Sequence, residues 1–153
     1  MARKSTLLLD SLKSDFSELK FETTEGFKWD AASGTVFLGW KGRVGQKNAL
    51  LGLHELAHAV LKHEDYEYDI ELVRMEAEAW ERVKTDFCDR YGVIWDEELA
   101  QGEIDTYRDW LYKRSLCPTC GRNGWQSGKN KYRCVCGYSW GVNEDKFKRI
   151  YRK

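Results

Sequence analysis

QKNALLGLHELAHAVLKH, residues 46 to 63, holds all three histidines of this 153-residue chain. Leu50, Leu51, Leu53, Ala57, Val60 and Leu61 recur at helical spacing and predict a helix suited to burial. His54 and His58 stand four residues apart on it, so both side chains project from one face, one turn apart. That separation suits two ligands of one zinc ion. Glu55 is poorly placed to ligate beside them but can reach a metal-bound water. There a carboxylate serves as general base, while the metal draws the water's pKa toward neutrality. The alternative is a pair of structural histidines. A buried pair needs partners for its polar ring nitrogens, and a zinc ion supplies them. No glycine lies between His58 and His63. The helix is therefore expected to run on and to carry His63 away, as a surface residue near its C-terminus.

The third ligand is sought on the next helix, predicted from residue 66 to about 91. On a wheel of about 100° per residue, Val73, Ala77, Trp80, Val83 and Phe87 form one stripe. Glu76 falls inside that stripe, and Glu78 falls nearly opposite, among charges. An unpaired carboxylate on an apolar face is expensive to bury, so Glu76 is read as the third ligand and Glu78 as the alternative. A salt bridge from Glu76 across a helix interface is the competing account. Ala79 is small enough to let this helix approach the HELAH helix closely.

HELAH followed about twenty residues later by Glu76-x-x-Ala79 resembles the gluzincin metallopeptidases, and the compact size resembles the minimal gluzincins and the ImmA/IrrE-like intracellular peptidases. The resemblance covers about residues 20 to 95. It implies an α+β fold, a small twisted sheet packed on the HExxH helix and the glutamate helix. It implies a catalytic zinc on His54, His58 and Glu76, with Glu55 as base. It also implies a substrate peptide added as a strand along the sheet edge. Carried onto this chain, that edge is Thr35 to Trp40, with Val36, Phe37 and Leu38 as the contact residues. The residue that steadies the oxyanion stays open among Tyr66, Tyr68, Tyr91 and Tyr107.

Outward from this centre, residues 5 to 20 predict an amphipathic helix capped by Ser5 or Thr6. One strand is expected near 21 to 29 and another over TVFLGW, residues 35 to 40, with DAASG as the turn between them. Residues 96 to 115 predict a fourth helix.

The pattern changes at LCPTCGRNGWQSGKNKYRCVCGYSW, residues 116 to 140. Cys117-x-x-Cys120 resembles one knuckle of a zinc ribbon, and Cys134-x-Cys136 resembles its partner with one residue fewer between the cysteines. Four cysteines so close together favour a tetrahedral structural zinc, without which so small a segment could hardly fold. A redox pair is the competing reading. Cys88, on the glutamate helix, is expected to be a free buried thiol. A HExxH domain followed by a ribbon is also similar in architecture to the SprT-like proteases.

Charge divides the chain although the formal net charge is zero. Residues 64 to 110 hold five Lys/Arg against sixteen Asp/Glu, whereas residues 117 to 153 hold nine against two. We expect a metallopeptidase domain over 1–115, a zinc ribbon over 116–141 and a basic tail over 142–153. The ribbon and tail are the expected contact for a substrate protein or for nucleic acid. Trp125, Tyr132, Tyr138 and Trp140 offer stacking faces, or else form the ribbon's small core. The N-terminal apolar run is three leucines, too short for a signal-peptide core, and no stretch is long enough to span a bilayer. An intracellular, cytoplasmic protein is expected. The leading function is a zinc metallopeptidase acting on a protein substrate. The alternative is a non-catalytic, zinc-bound regulator that binds nucleic acid, and a phage-related or toxin–antitoxin factor is a third reading.

Overall fold

The computed structural model describes residues 3–144, 146, 150 and 152. The order is β1 (Arg3–Lys4), α1 (Ser5–Asp15), β2 (Lys20–Thr23), β3 (Lys28–Asp30), β4 (Thr35–Leu38), β5 (Arg43–Val44) and α2 (Gln46–Val60). Helix α3 (Asp69–Arg82) continues through a π-helical turn, Val83–Phe87, into α4 (Cys88–Tyr91). Helix α5 (Glu97–Ser115) precedes β6 (Trp125–Gly128), β7 (Lys131–Arg133) and β8 (Ser139–Gly141). The fold is α+β, with small sheets beside the helices. No helix among the described residues is long and apolar enough to cross a membrane.

The chain forms two compact units: residues 1–64 with 76–99, and residues 65–75 with 100–153. A division at residue 115 is not the one these units follow, since the first half of α3 and nearly all of α5 group with the cysteine-bearing strands. Residues 145, 147–149, 151 and 153 of the basic tail lie outside the described residues.

In the first unit the expected strand over 21 to 29 is two strands. β2 runs parallel to β4 and β3 runs antiparallel to it, giving the order β2-β4-β3. Strand β4 is therefore central and not the edge that substrate was expected to meet. Its composition gives the reason. Thr35, Val36 and Leu38 are buried, as suits a strand flanked on both sides, whereas β2 and β3 each begin with the lysine that commonly guards an edge. Between β3 and β4, Asp30 accepts hydrogen bonds from Ala32 N and Ser33 Oγ, and Gly34 takes the left-handed conformation that ends the turn.

Helix α2 lies on this sheet. Leu50, Leu53, Leu56 and Ala57 are wholly buried. Gly52 sits against Trp40, whose indole N–H donates to Asn48 O at 2.8 Å. A Cβ on Gly52 would overlap the Trp40 ring and stand 2.7 Å from its Cε2. Leu8 and Leu12 bury the inner face of α1, which stops at Asp15 instead of reaching residue 20.

The second unit has a buried polar centre. Arg114 Nε donates to Asp69 Oδ2 at 2.7 Å, and Tyr132 Oη donates to the same oxygen at 2.6 Å. Arg114 also donates to Asn130 Oδ1 and to Asn143 O. Asp69 and Arg114 are almost wholly enclosed, which is tolerable only because each is paired and hydrogen-bonded. The antiparallel sheet β6-β7-β8 packs Tyr132 and Trp140 together with Cys117 and Cys134.

Candidate metal centres

Helix α2 delivers His54 and His58 to one face, and α3 delivers Glu76. His54 Nε2 stands 2.8 Å from Glu76 Oε2 and 3.0 Å from His58 Nε2. His58 Nε2 stands 3.3 Å from Glu76 Oε1. All three residues are buried. Three atoms bonded to one zinc at about 2.0–2.1 Å would stand roughly 3.3 Å apart, so the observed spacings approach those of a shared ion. Two imine lone pairs and a carboxylate repel at this range unless a proton or cation lies among them. The donor chemistry therefore fits a divalent metal with one position left open. Glu78 is exposed and outside the cluster; the apolar stripe of α3 carries Glu76 inward.

Burial and charge act in opposition here. Burial pushes the Glu76 carboxyl up, but its interactions with the His54 and His58 rings together outweigh that and hold the group well below the usual range. Burial lowers His54, favouring the neutral ring that a metal requires. Glu55 is half-buried, close enough to feel the charges of His58 and Glu76. Burial pushes its carboxyl up to about 7, against the lowering effects of His58 and of the Trp29 backbone.

Three features of this site escape the sequence. His63 is not carried off. Helix α2 ends at Val60, and Lys62 turns left-handed at φ 56° in place of the missing glycine. Lys62 N then donates to Ala59 O and His63 N to His58 O, the paired bonds of a Schellman end. His63 returns beneath His58, with Nδ1 of each ring 2.8 Å apart, and its other nitrogen is 3.3 Å from Glu78 Oε2. Its side chain is only 11% exposed. Second, Trp80 stacks on His54, ring centroids 4.3 Å apart and planes 21° from parallel. Position i+4 from Glu76 is the signal for this, since it shares the face that carries the ligand. Third, the Trp29 indole donates to His63 O at 2.8 Å.

Of the four oxyanion candidates, Tyr91 belongs to the same unit as His54, His58 and Glu76. Tyr91 Oη donates to Asp15 at 2.8 Å. Tyr66, Tyr68 and Tyr107 belong to the second unit.

The second cluster joins Cys117, Cys120, Cys134 and Cys136, with all four sulfurs within 4.8 Å of one another. Cys117 and Cys136 sulfurs are 3.7 Å apart, and those of Cys120 and Cys134 are 3.5 Å apart. A disulfide needs about 2.05 Å, whereas a tetrahedron with zinc–sulfur bonds of about 2.3 Å has edges near 3.8 Å. The cluster has the second geometry. Gly121 and Gly137 adopt positive φ and close the two knuckles, donating to Cys117 O and Cys134 O. Burial pushes the Cys117 thiol up, but the backbone N–H groups of Cys120 and Thr119 help to draw it down to about 7. The shorter Cys134-x-Cys136 knuckle is therefore compatible with a common centre. Tyr132 and Trp140 are buried core, while Trp125 and Tyr138 are exposed. Cys88 is a buried free thiol, as expected.

No protein-family model, curated protein or solved structure matches this chain.

Proposed function

We propose that this chain is a zinc-dependent peptidase whose first unit holds the reactive centre on His54, His58 and Glu76. The observation that carries the reading is the convergence of those three buried donors with Glu55 beside them. When bound there, zinc supplies the Lewis acidity that lowers the pKa of a water molecule toward neutrality.

The chain's own residues do the rest. Glu55 takes a proton from the attacking water as its oxygen bonds to the scissile carbonyl carbon. The carbon–nitrogen bond then breaks, and Glu55 returns that proton to the leaving amine. A carboxyl poised near neutrality suits both halves of this exchange. A peptide added as a strand would use the edge of β3, the outer strand whose Trp29 meets His63 beside the site. This replaces β4 with its Val36, Phe37 and Leu38 as the substrate strand.

The second unit holds a structural zinc on its four cysteines. We assign it recruitment of a polyanion or an acidic protein. Arg122, Lys131 and Arg133 are exposed there beside the exposed rings of Trp125 and Tyr138, a combination that suits phosphates and bases. A cytoplasmic location is part of the same proposal.

Metal analysis with a proteolysis assay tests the central claim. Wild-type protein should carry two zinc ions and cleave an unfolded model protein. Glu55→Gln should keep both zincs and lose on the order of a hundredfold or more in rate. Cleavage by Glu55→Gln at the wild-type rate would refute the catalytic assignment.

A further inference from the structure

We propose that His63 and Glu78 are positioning residues that fix the ring of His58 for the metal. The inference rests on the metal reading of His54, His58 and Glu76 and deepens it.

An imidazole offers a lone pair on only one nitrogen when neutral. A ligand histidine must therefore hold its proton on the nitrogen away from the metal, and a partner that accepts that proton fixes the tautomer and the ring. His58 Nε2 faces His54 and Glu76. Its proton belongs on Nδ1, which stands 2.8 Å from His63 Nδ1. His63 accepts that bond with its lone pair only if its own proton lies on Nε2, which is the nitrogen 3.3 Å from Glu78 Oε2. The Glu78 carboxylate, which can only accept, thus orients His63, and His63 orients His58. Each bond in the chain has one direction, and the last lone pair points at the metal site.

The backbone supports the same reading. His63 reaches this place only because Lys62 adopts a left-handed conformation, which is strained for a residue other than glycine. The two bonds of the helix end and the Trp29 indole then hold the His63 backbone. The other ligand is held differently. Among the described residues the buried His54 Nδ1 has no hydrogen-bond partner, and its ring is clamped instead by the face of Trp80.

The test is a cobalt(II) titration of the full chain. The four-cysteine site reports through its thiolate charge-transfer band and the histidine site through ligand-field bands without one. His63→Leu removes the acceptor, and His63→Gln restores one through its amide oxygen. The histidine site of His63→Leu should bind cobalt roughly ten- to a hundredfold more weakly and with shifted ligand-field bands. His63→Gln should recover a large part of the loss. Glu78→Ala changes an exposed residue and leaves folding intact, and it should weaken the same site by a smaller factor. The cysteine site should be unaffected throughout. Wild-type affinity in both His63→Leu and Glu78→Ala, or equal weakening in His63→Gln and His63→Leu, would overturn the positioning role alone. Failure of the wild-type chain to take up cobalt outside the cysteine site would overturn the metal reading and this inference together.

Discussion

Gly52 tests the packing that delivers both histidines. On a solvent-facing helix position, replacing glycine with alanine stabilises by about 0.5–1 kcal/mol, because glycine loses more backbone freedom on folding. Here the sign should reverse. The added methyl would overlap the Trp40 ring and lie 2.7 Å from its Cε2. Trp40 is only 2% exposed, and its N–H is tied to Asn48 O, so the ring has little room to yield. Overpacking of this kind costs about 1–3 kcal/mol. With so rigid a neighbour the upper half of that range applies, and Gly52→Ala should lose about 1–2 kcal/mol net. Gly52 is two residues before His54, so a shifted helix should weaken metal binding at the histidine site as well. Equilibrium denaturation, followed by tryptophan fluorescence, gives the first quantity and cobalt titration the second. A double-mutant cycle with Trp40→Phe isolates the contact, since the smaller ring lacks the atoms that collide. The reasoning fails if Gly52→Ala is as stable as the wild-type protein, or if Trp40→Phe gives no relief.

Lys62→Gly should stabilise the chain by about 0.5–1 kcal/mol in the same denaturation assay, because glycine adopts the left-handed helix end without strain; a loss would show that Lys62 is not strained. Asp69→Ala leaves Arg114 buried and unpaired, so it should lower stability by about 3–5 kcal/mol, and a loss below roughly 1 kcal/mol would contradict the burial of that pair. Chelation under reducing conditions should expose the four clustered thiols to thiol titration, and equal thiol counts with and without chelator would exclude a metal at that centre.

The parts of the site legible in the sequence are those that periodicity governs. His54 and His58 share a face because of helix geometry alone, and the stripe through Val73, Ala77 and Trp80 places Glu76 inward whatever it meets there. The cysteines were legible through spacing. Strand identity was less so. TVFL reads correctly as a strand, but its place in the sheet depends on partners, and β2 and β3 together resemble one strand until Thr24 and Gly26 interrupt them. The clue was present in composition: the apolar strand is central and the lysine-bearing ones are edges.

His63 shows why the rest was hidden. By local preference a chain that turns back here needs a glycine, since only glycine adopts positive φ freely. That local preference is worth only about 1 kcal/mol. Two helix-end bonds, the Trp29 indole and two contacts from the His63 ring together exceed it. Two of these contacts join residues distant in sequence: Trp29 and His63 are 34 positions apart, and His63 and Glu78 are 15 apart. A penalty of that size is visible to a reading of neighbours, whereas the contacts that outweigh it exist only once the sheet, α2 and α3 have assembled. Glu78 was set aside for the same reason. It falls on the polar side of the α3 wheel and is exposed, so it could not be a ligand. From that side it meets a histidine that the local rules had sent elsewhere.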